Sequence, residues 1–289
     1  MSQPIRVHVV AGGFPPGKHA SHDIDYARMR ILQALQSNED VHATVSSDFT
    51  DCDKWIADCQ LLVCYVAGPF ADEHQNGVIL DWLNDGGRWL ALHGSTGGMP
   101  ERTSDRADGR RRMAKMPYHE TLGGYFMTHP SIREMNVTVA DHNHPLTYNL
   151  PDSFFVQDEP YMIEVIHPDT QILLTTTDID VPPHLPELYG RDLSLLPDGK
   201  SHALGFARTV GEGAVAYIAP GHCHTPATMT EAHKQAIGRM IWRDWRQPPV
   251  HKSISPDGVI PARFRGPWET EPYEQLLKNA IAWGTGVEG

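Results

Sequence analysis

From Ile5 to Leu92 the chain switches repeatedly between two hydrophobic periods, and few folds accommodate that alternation. Ile5 to Ala11 is rich in β-branched residues and runs into Gly12-Gly13, so it reads as a buried strand. Tyr26 to Leu35 carries apolar residues at Met29, Ile31, Leu32 and Leu35, the pattern of an amphipathic helix. Val41 to Val45 gives a second strand and Leu61 to Val66 a third, nearly continuous in hydrophobicity. Val78, Ile79, Trp82 and Leu83 mark the next helix, which stops at Gly86-Gly87. Arg88 to Leu92 is a fourth strand, followed at once by His93-Gly94. Uniformly apolar strands suit sheets covered on both faces. Strand–helix repetition of this kind predicts a doubly wound, mainly parallel sheet flanked by helices. Ligands bind such sheets beyond the carboxyl ends of the strands, so the turns after Ala11, Val66 and Leu92 are the places to look.

The second half is less regular. Met135 to Ala140, Gln171 to Thr177, Ala203 to Ala207 and Ala214 to Ala219 read as strands, and Glu231 to Trp245 as a helix. Pro248 to Pro267 is loop-like and rich in proline. Glu271 to Trp283 reads as a final helix with Leu277 and Ile281 on one face. A terminal helix cannot form a domain alone, so it is expected to pack back on the sheet. Residues 1–289 then form one domain with an inserted helix and proline-rich loop at about 224–267.

The formal net charge of -12 repels phosphate backbones and anionic headgroups, which argues against a nucleic-acid partner. The short basic run Arg110-Arg111-Arg112 with Lys115 reads as a solvated helix face. Four cysteines without a Cys-x-x-Cys pair do not make a disulfide framework. Met1 to Arg6 lacks the start of a signal peptide, and no apolar run approaches the roughly 18 residues of a membrane span. A cytoplasmic protein without a membrane partner is the expectation. Nothing in the pattern requires a homo-oligomer, although the insertion after His224 offers a surface for one.

The anomaly in the composition is histidine, with 17 copies. Histidine is the commonest metal ligand and general acid/base, so position must decide what these do. His22-Asp23, His93, His129, His144, Asp158-Glu159, His222 and His224 all fall where strands are expected to end. A lone histidine at a strand end is more often a hydrogen-bonded structural residue than a ligand, and Asp141 with His144-Pro145 has the composition of a turn. Nucleophile signals are weak. Gly94-Ser95-Thr96-Gly97 lacks the spacing of a nucleophile elbow, and Cys223 has the ordinary alternative of a small packing residue. Gly12-Gly13-Phe14-Pro15-Pro16-Gly17-Lys18 is neither a dinucleotide fingerprint nor a phosphate loop, so no nucleotide cofactor is expected.

Taken together, these motifs resemble the ThuA-like (trehalose utilisation) proteins, which share the class I glutamine amidotransferase-like, flavodoxin-like architecture. The residues that carry the resemblance are His22-Asp23, Leu92-His93-Gly94, Leu122-Gly123-Gly124 with Phe126 and His129-Pro130, and Asp141 with His144-Pro145. They continue with Asp158-Glu159 and Tyr161, Gly211 to Val215 leading to Gly221-His222, and Ala280 to Trp283. The departure lies between about Cys223 and Pro267, where an extra helix and a proline-rich loop intervene. By analogy with the amidotransferases, His93 takes the place of their nucleophilic cysteine and His222 lies near their catalytic histidine. An imidazole cannot make the thiolate attack on glutamine, so amidotransfer is not expected.

The resemblance implies a carbohydrate substrate, trehalose-related or an oxidised keto-sugar, and hydrolysis or isomerisation assisted by histidine or a metal. The expected catalytic residues are His93, His222, Glu159 and Asp158, with His22, Asp23, His129 and Tyr161 contacting substrate. If the histidines converge, His93, His129 and His222 offer nitrogen ligands for a divalent ion such as zinc or manganese. Two alternatives stand beside this: a non-catalytic carbohydrate-binding or regulatory module using the same pocket, and a hydrolase using Cys223 or Ser95.

Overall fold

In the computed structural model, residues 4–102, 111–182, 185–229 and 250–286 are described. The apolar runs of the first half become strands β1 (Ile5–Gly13), β2 (Val41–Ser46), β3 (Leu61–Ala67) and β4 (Arg88–Leu92). Between them lie helices α1 (Ile24–Leu35), the short α2 (Cys52–Trp55) and α3 (Glu73–Asn84). Asp23 caps α1 by accepting from the Tyr26 amide, and Asp72 with Gln75 forms a capping box on α3. α1 and α3 therefore start where a side chain satisfies a free amide.

The next segment is a short hairpin, β5 (Pro100–Arg102) with β6 (Arg111–Met113), followed by α4 (Pro117–Leu122). The part of the basic run within the described residues is thus strand, not a helix face. Arg112 pairs with Glu101 and Lys115 with Glu164. Beyond it come β7 (Gly124–Thr128), β8 (Arg133–Val139), β9 (Ser153–Asp158), β10 (Met162–Val165) and β11 (Gln171–Thr176). The described elements end with α5 (Leu185–Tyr189), β12 (His202–Val210), β13 (Gly213–Ile218) and α6 (Glu271–Thr285). The helix expected over Glu231 to Trp245 lies outside the described residues.

Nine strands make the central sheet in the order β2-β1-β3-β4-β13-β12-β11-β8-β9. The pairs from β2 to β13 are all parallel, and those from β13 to β9 all antiparallel. β3 and β4, in the middle of the parallel half, are buried on both faces, which is why they read as unbroken apolar runs. β7 and β10 pair with each other outside that sheet.

Two close approaches fix the strand ends that carry the site. A Cβ on Gly12 would lie 1.7 Å from the Ser47 carbonyl oxygen, and one on Gly94 would lie 2.8 Å from that of Val66. Only glycine lets these backbones meet. The terminal helix α6 returns to the first half, as its apolar face requires: Leu277 and Ile281 are buried, and Asn279 donates to the carbonyls of Leu146 and Tyr148. No helix among the described residues is long and apolar enough to cross a membrane.

Candidate functional site: a histidine–glutamate cluster

Loops after five strands bring their side chains to one point. His22 follows β1, His93 follows β4, His129 follows β7, Glu159 and Tyr161 follow β9, and His222 and His224 follow β13. His22, His93, Glu159 and His222 form a cluster whose candidate ligand atoms all lie within 4.8 Å of one another. His93 sits at its centre and has no solvent exposure. Its φ of 44° is left-handed, a conformation that histidine adopts at a cost and that the surroundings must hold. Tyr217 donates to the His93 carbonyl at 2.8 Å, and the ring stacks on Tyr161 with centroids 4.3 Å apart.

Backbone carbonyls decide which nitrogen of each ring carries the proton. A carbonyl only accepts, so His22 Nδ1 donates to Ala20 O and His93 Nδ1 donates to Ala219 O, both at 2.8 Å. The Nε2 atoms of His22 and His93 therefore present lone pairs. His224 Nε2 donates to Pro261 O at 2.8 Å, which leaves its Nδ1 to accept from His222 Nε2, again at 2.8 Å. That relay turns the lone pair of His222 Nδ1 inward, where this buried atom has no hydrogen-bond partner. Such outer hydrogen bonds are the usual way in which ligating imidazoles are oriented.

Three lone pairs and a carboxylate thus face one another. His22 Nε2 and His93 Nε2 are 3.2 Å apart, His93 Nε2 and Glu159 Oε2 3.6 Å, and His222 Nδ1 and Glu159 Oε2 3.3 Å. Two imidazole lone pairs at 3.2 Å repel unless a positive charge lies between or beside them. A proton on His93 is one such charge. Burial opposes it, but the hydrogen bond to Glu159 and the charges of Asp158 and Glu159 raise the His93 pKa. A metal ion is the other. Zinc–nitrogen bonds of about 2.05 Å place tetrahedral ligands about 3.3 Å apart, close to the three separations found. Burial alone would raise Glu159, yet His129, His222 and His93 hold it well below the usual carboxylate range. Burial holds His22 down to about 4 and His222 well below the ordinary imidazole value. At His22 and His222, then, the neutral imidazole is the form that burial favours.

The remaining expected residues separate into those at the pocket and those behind it. His129 lines the cavity outside the cluster; its Nδ1 donates to Pro130 O, and its Nε2 stands 3.8 Å from Glu159 Oε1. His22 rather than His129 therefore completes the cluster. Tyr161 lines the cavity between His93 and Phe126. Asp158, expected to be catalytic, faces the backbone instead. It is fully buried and accepts from the amides of Gly221, His222 and Glu159 at 2.5, 3.0 and 2.7 Å. Burial pushes its pKa up to about 7 while those donors and His93 pull it down. Because donors surround both oxygens, we take the carboxylate as ionised and as the anchor of the Gly221-His222 turn. Asp23, expected to touch substrate, caps α1 and pairs with Arg265 at 2.7 Å, away from the cavity.

The nucleophile alternatives lose their geometry as well. Ser95 is buried, donating to Cys64 O and accepting from the Val66 amide. Cys223 is buried against Tyr65 and Asp23, and burial pushes its thiol up to about 12. Neither lines the cavity. His144 caps a short turn by accepting from the Leu146 amide. What the sequence reading missed is the role of His224. Alternate residues of an extended chain share a side, so the His222-Cys223-His224 spacing was the available signal.

The cavity above the cluster measures about 370 Å³. Over most of its length the chain is similar in fold to a ThuA-like protein from Bacteroides uniformis (TM-score 0.59, 14% identity, covering 98% of this chain and 93% of that one). It is similarly related to a ThuA-like protein from Parabacteroides merdae (TM-score 0.55, 16% identity, 98% and 91%). Part of a beta-galactosidase from Rahnella sp. R3 is also similar (TM-score 0.51, 14% identity, 75% of this chain and 28% of that one). At these identities the likeness is one of fold, and it agrees with the helix-flanked central sheet, parallel from β2 to β13, in being flavodoxin-like α/β. No curated protein matches the chain. The ThuA family, described as trehalose utilisation, matches residues 6–242, a span that takes in His22, His93, Glu159 and His222. The chain belongs to the ThuA family.

Proposed function

We propose that this protein is an enzyme of carbohydrate utilisation that acts on a sugar or keto-sugar, by hydrolysis or isomerisation, with a divalent ion such as zinc or manganese held by His22, His93, His222 and Glu159. One observation carries the reading: three imidazole lone pairs, each oriented by a hydrogen bond on the far side of its ring, meet a carboxylate at ligand spacing. The family description, trehalose utilisation, supports the substrate class. Such an ion supplies a Lewis acid for a carbonyl or vicinal diol and makes bound water more acidic. Among the chain's own residues, Glu159 directs Oε2 to His93 and His222 and leaves Oε1 toward His129. His129, which lines the cavity with its Nε2 3.8 Å from Glu159 Oε1, is the residue to which we assign transfer of a substrate proton. Tyr161, stacked on His93, fixes that ring at the edge of the cavity.

The test is elemental mass spectrometry on untagged wild type, Glu159→Gln and His93→Asn; asparagine tolerates the left-handed backbone at that position. Near-stoichiometric metal in wild type, lost in both variants while the far-UV circular dichroism is unchanged, is the expected result. Turnover of glycosides and keto-sugars should fall with the metal. A metal-free wild type that shows no thermal shift with Zn²⁺ or Mn²⁺ would overturn the reading. Saturable sugar binding without product would leave a binding module.

A further inference from the structure

The floor and the walls of the cavity differ in chemistry. Among the described lining residues the polar side chains are Ser21, His22, His129, Glu159, Tyr161, His222 and His224. Three of these belong to the cluster, and both nitrogens of His224 are engaged, one by Pro261 and one by His222. Beyond these, the polar side chains of the described lining are Ser21, His129 and Tyr161. The walls are apolar: Phe70, Met113 and Phe126, with Ile132, Met229 and Ile260. Ile132, Met229 and Ile260 form a small core of their own with Val250 and Phe264, so that wall is a packed surface and not a loose fringe. The chain after His224 supplies part of it, through Met229 and Ile260.

A free disaccharide carries a hydroxyl on about two carbons in three, and each one buried without a partner is penalised. A cavity of about 370 Å³ with this lining suits a different shape of molecule. We propose that its ligand is amphipathic: a single sugar or keto-sugar ring whose paired oxygens meet the floor, joined to an aryl or other apolar substituent that lies against these walls. The inference rests on the reading of the floor as a sugar site and adds what the walls select.

Titration calorimetry of the metal-loaded protein with phenyl glucoside, methyl glucoside and trehalose tests it. Phenyl glucoside is expected to bind at least tenfold more tightly than methyl glucoside, with trehalose no tighter than methyl glucoside. Phe70→Ser and Ile260→Ser should each shrink the phenyl-to-methyl ratio while metal content stays at the wild-type level. If all three ligands bind with a ratio near one, or trehalose binds most tightly, the inference fails and the carbohydrate reading stands. If none binds to protein that holds its metal, the carbohydrate reading itself fails, and this inference with it.

Discussion

An imidazole is neutral or charged according to what faces its two nitrogens, and His8 shows this away from the site. Its ring is stacked on Trp55 at 3.8 Å and bonded to the hydroxyls of Thr44 and Ser46 at 2.7 and 3.0 Å. Burial lowers its pKa from 6.5 to about 4. Above pH 6.5 the ring is neutral in the folded and unfolded chain alike, so it adds no pH dependence. Below 6.5 the unfolded chain takes up a proton that the folded one refuses until about pH 4, so stability falls through that window. At pH 5 the loss from this residue is on the order of 2 kcal/mol. Denaturant unfolding at pH 7 and pH 5 should therefore show wild type losing about that much more than His8→Gln. Equal losses would mean that the folded ring takes up its proton as readily as the unfolded one. At the site, position at a strand end picked out His22, His93 and His222 in the sequence, and the acidic pair at the end of β9. The sequence does not show where a side chain points. Asp158 and Glu159 are adjacent in extended chain and so face opposite ways, one to the backbone amides and one to the cavity.

At the scale of elements, the same extended geometry makes His222-Cys223-His224 a unit. The two histidines share a side while Cys223 packs behind them. His224 contributes no ligand atom to the cluster; it fixes which nitrogen of His222 is bare. His224→Phe keeps a ring beside Phe264, which now packs on it at 5.6 Å, and removes the acceptor. Chelator competition should then show metal binding ten- to hundredfold weaker, with ligand number unchanged. Undiminished affinity would show that His222 needs no such support. The elements themselves were legible where the pattern was clean. The continuous apolar runs of β3 and β4 appear in the structure with shifts of a residue or none. β7, β9 and β10 were not read, for physical reasons. In β9 the buried Phe154 and Val156 flank an exposed Phe155, so the alternation is hidden by an aromatic on the solvent side. β7 and β10 are short and pair only with each other, and all five residues of β7 are buried, which removes the period altogether.

For the molecule as a whole, the question is whether the last helix is an appendage or part of what holds the site. α6 arrives after the long proline-rich stretch, yet it packs on β4 and α1, elements near the start of the chain. Tyr273, Leu276, Leu277 and Ile281 are each at most 7% exposed, and Arg30 pairs with Glu274 at 2.5 Å. Burying four side chains of this size is worth about 6–12 kcal/mol, which is as large as the whole stability of an ordinary domain. The Tyr273 hydroxyl also donates to Pro220 O at 3.0 Å, one residue before the Gly221-His222 turn. Removing α6 thus strips one side of the parallel sheet and one support of the site together. A chain ending at Thr270 is expected to be insoluble or to lose its cooperative unfolding transition, as read by circular dichroism against denaturant. A soluble truncated chain with a sigmoidal transition and its metal still bound would show that the sheet closes without α6. The milder change Tyr273→Phe keeps the packing and removes only the hydroxyl, so it should cost about 1 kcal/mol and leave the fold intact. Together the two measurements separate the helix's apolar burial from its single hydrogen bond to the chain that carries His222.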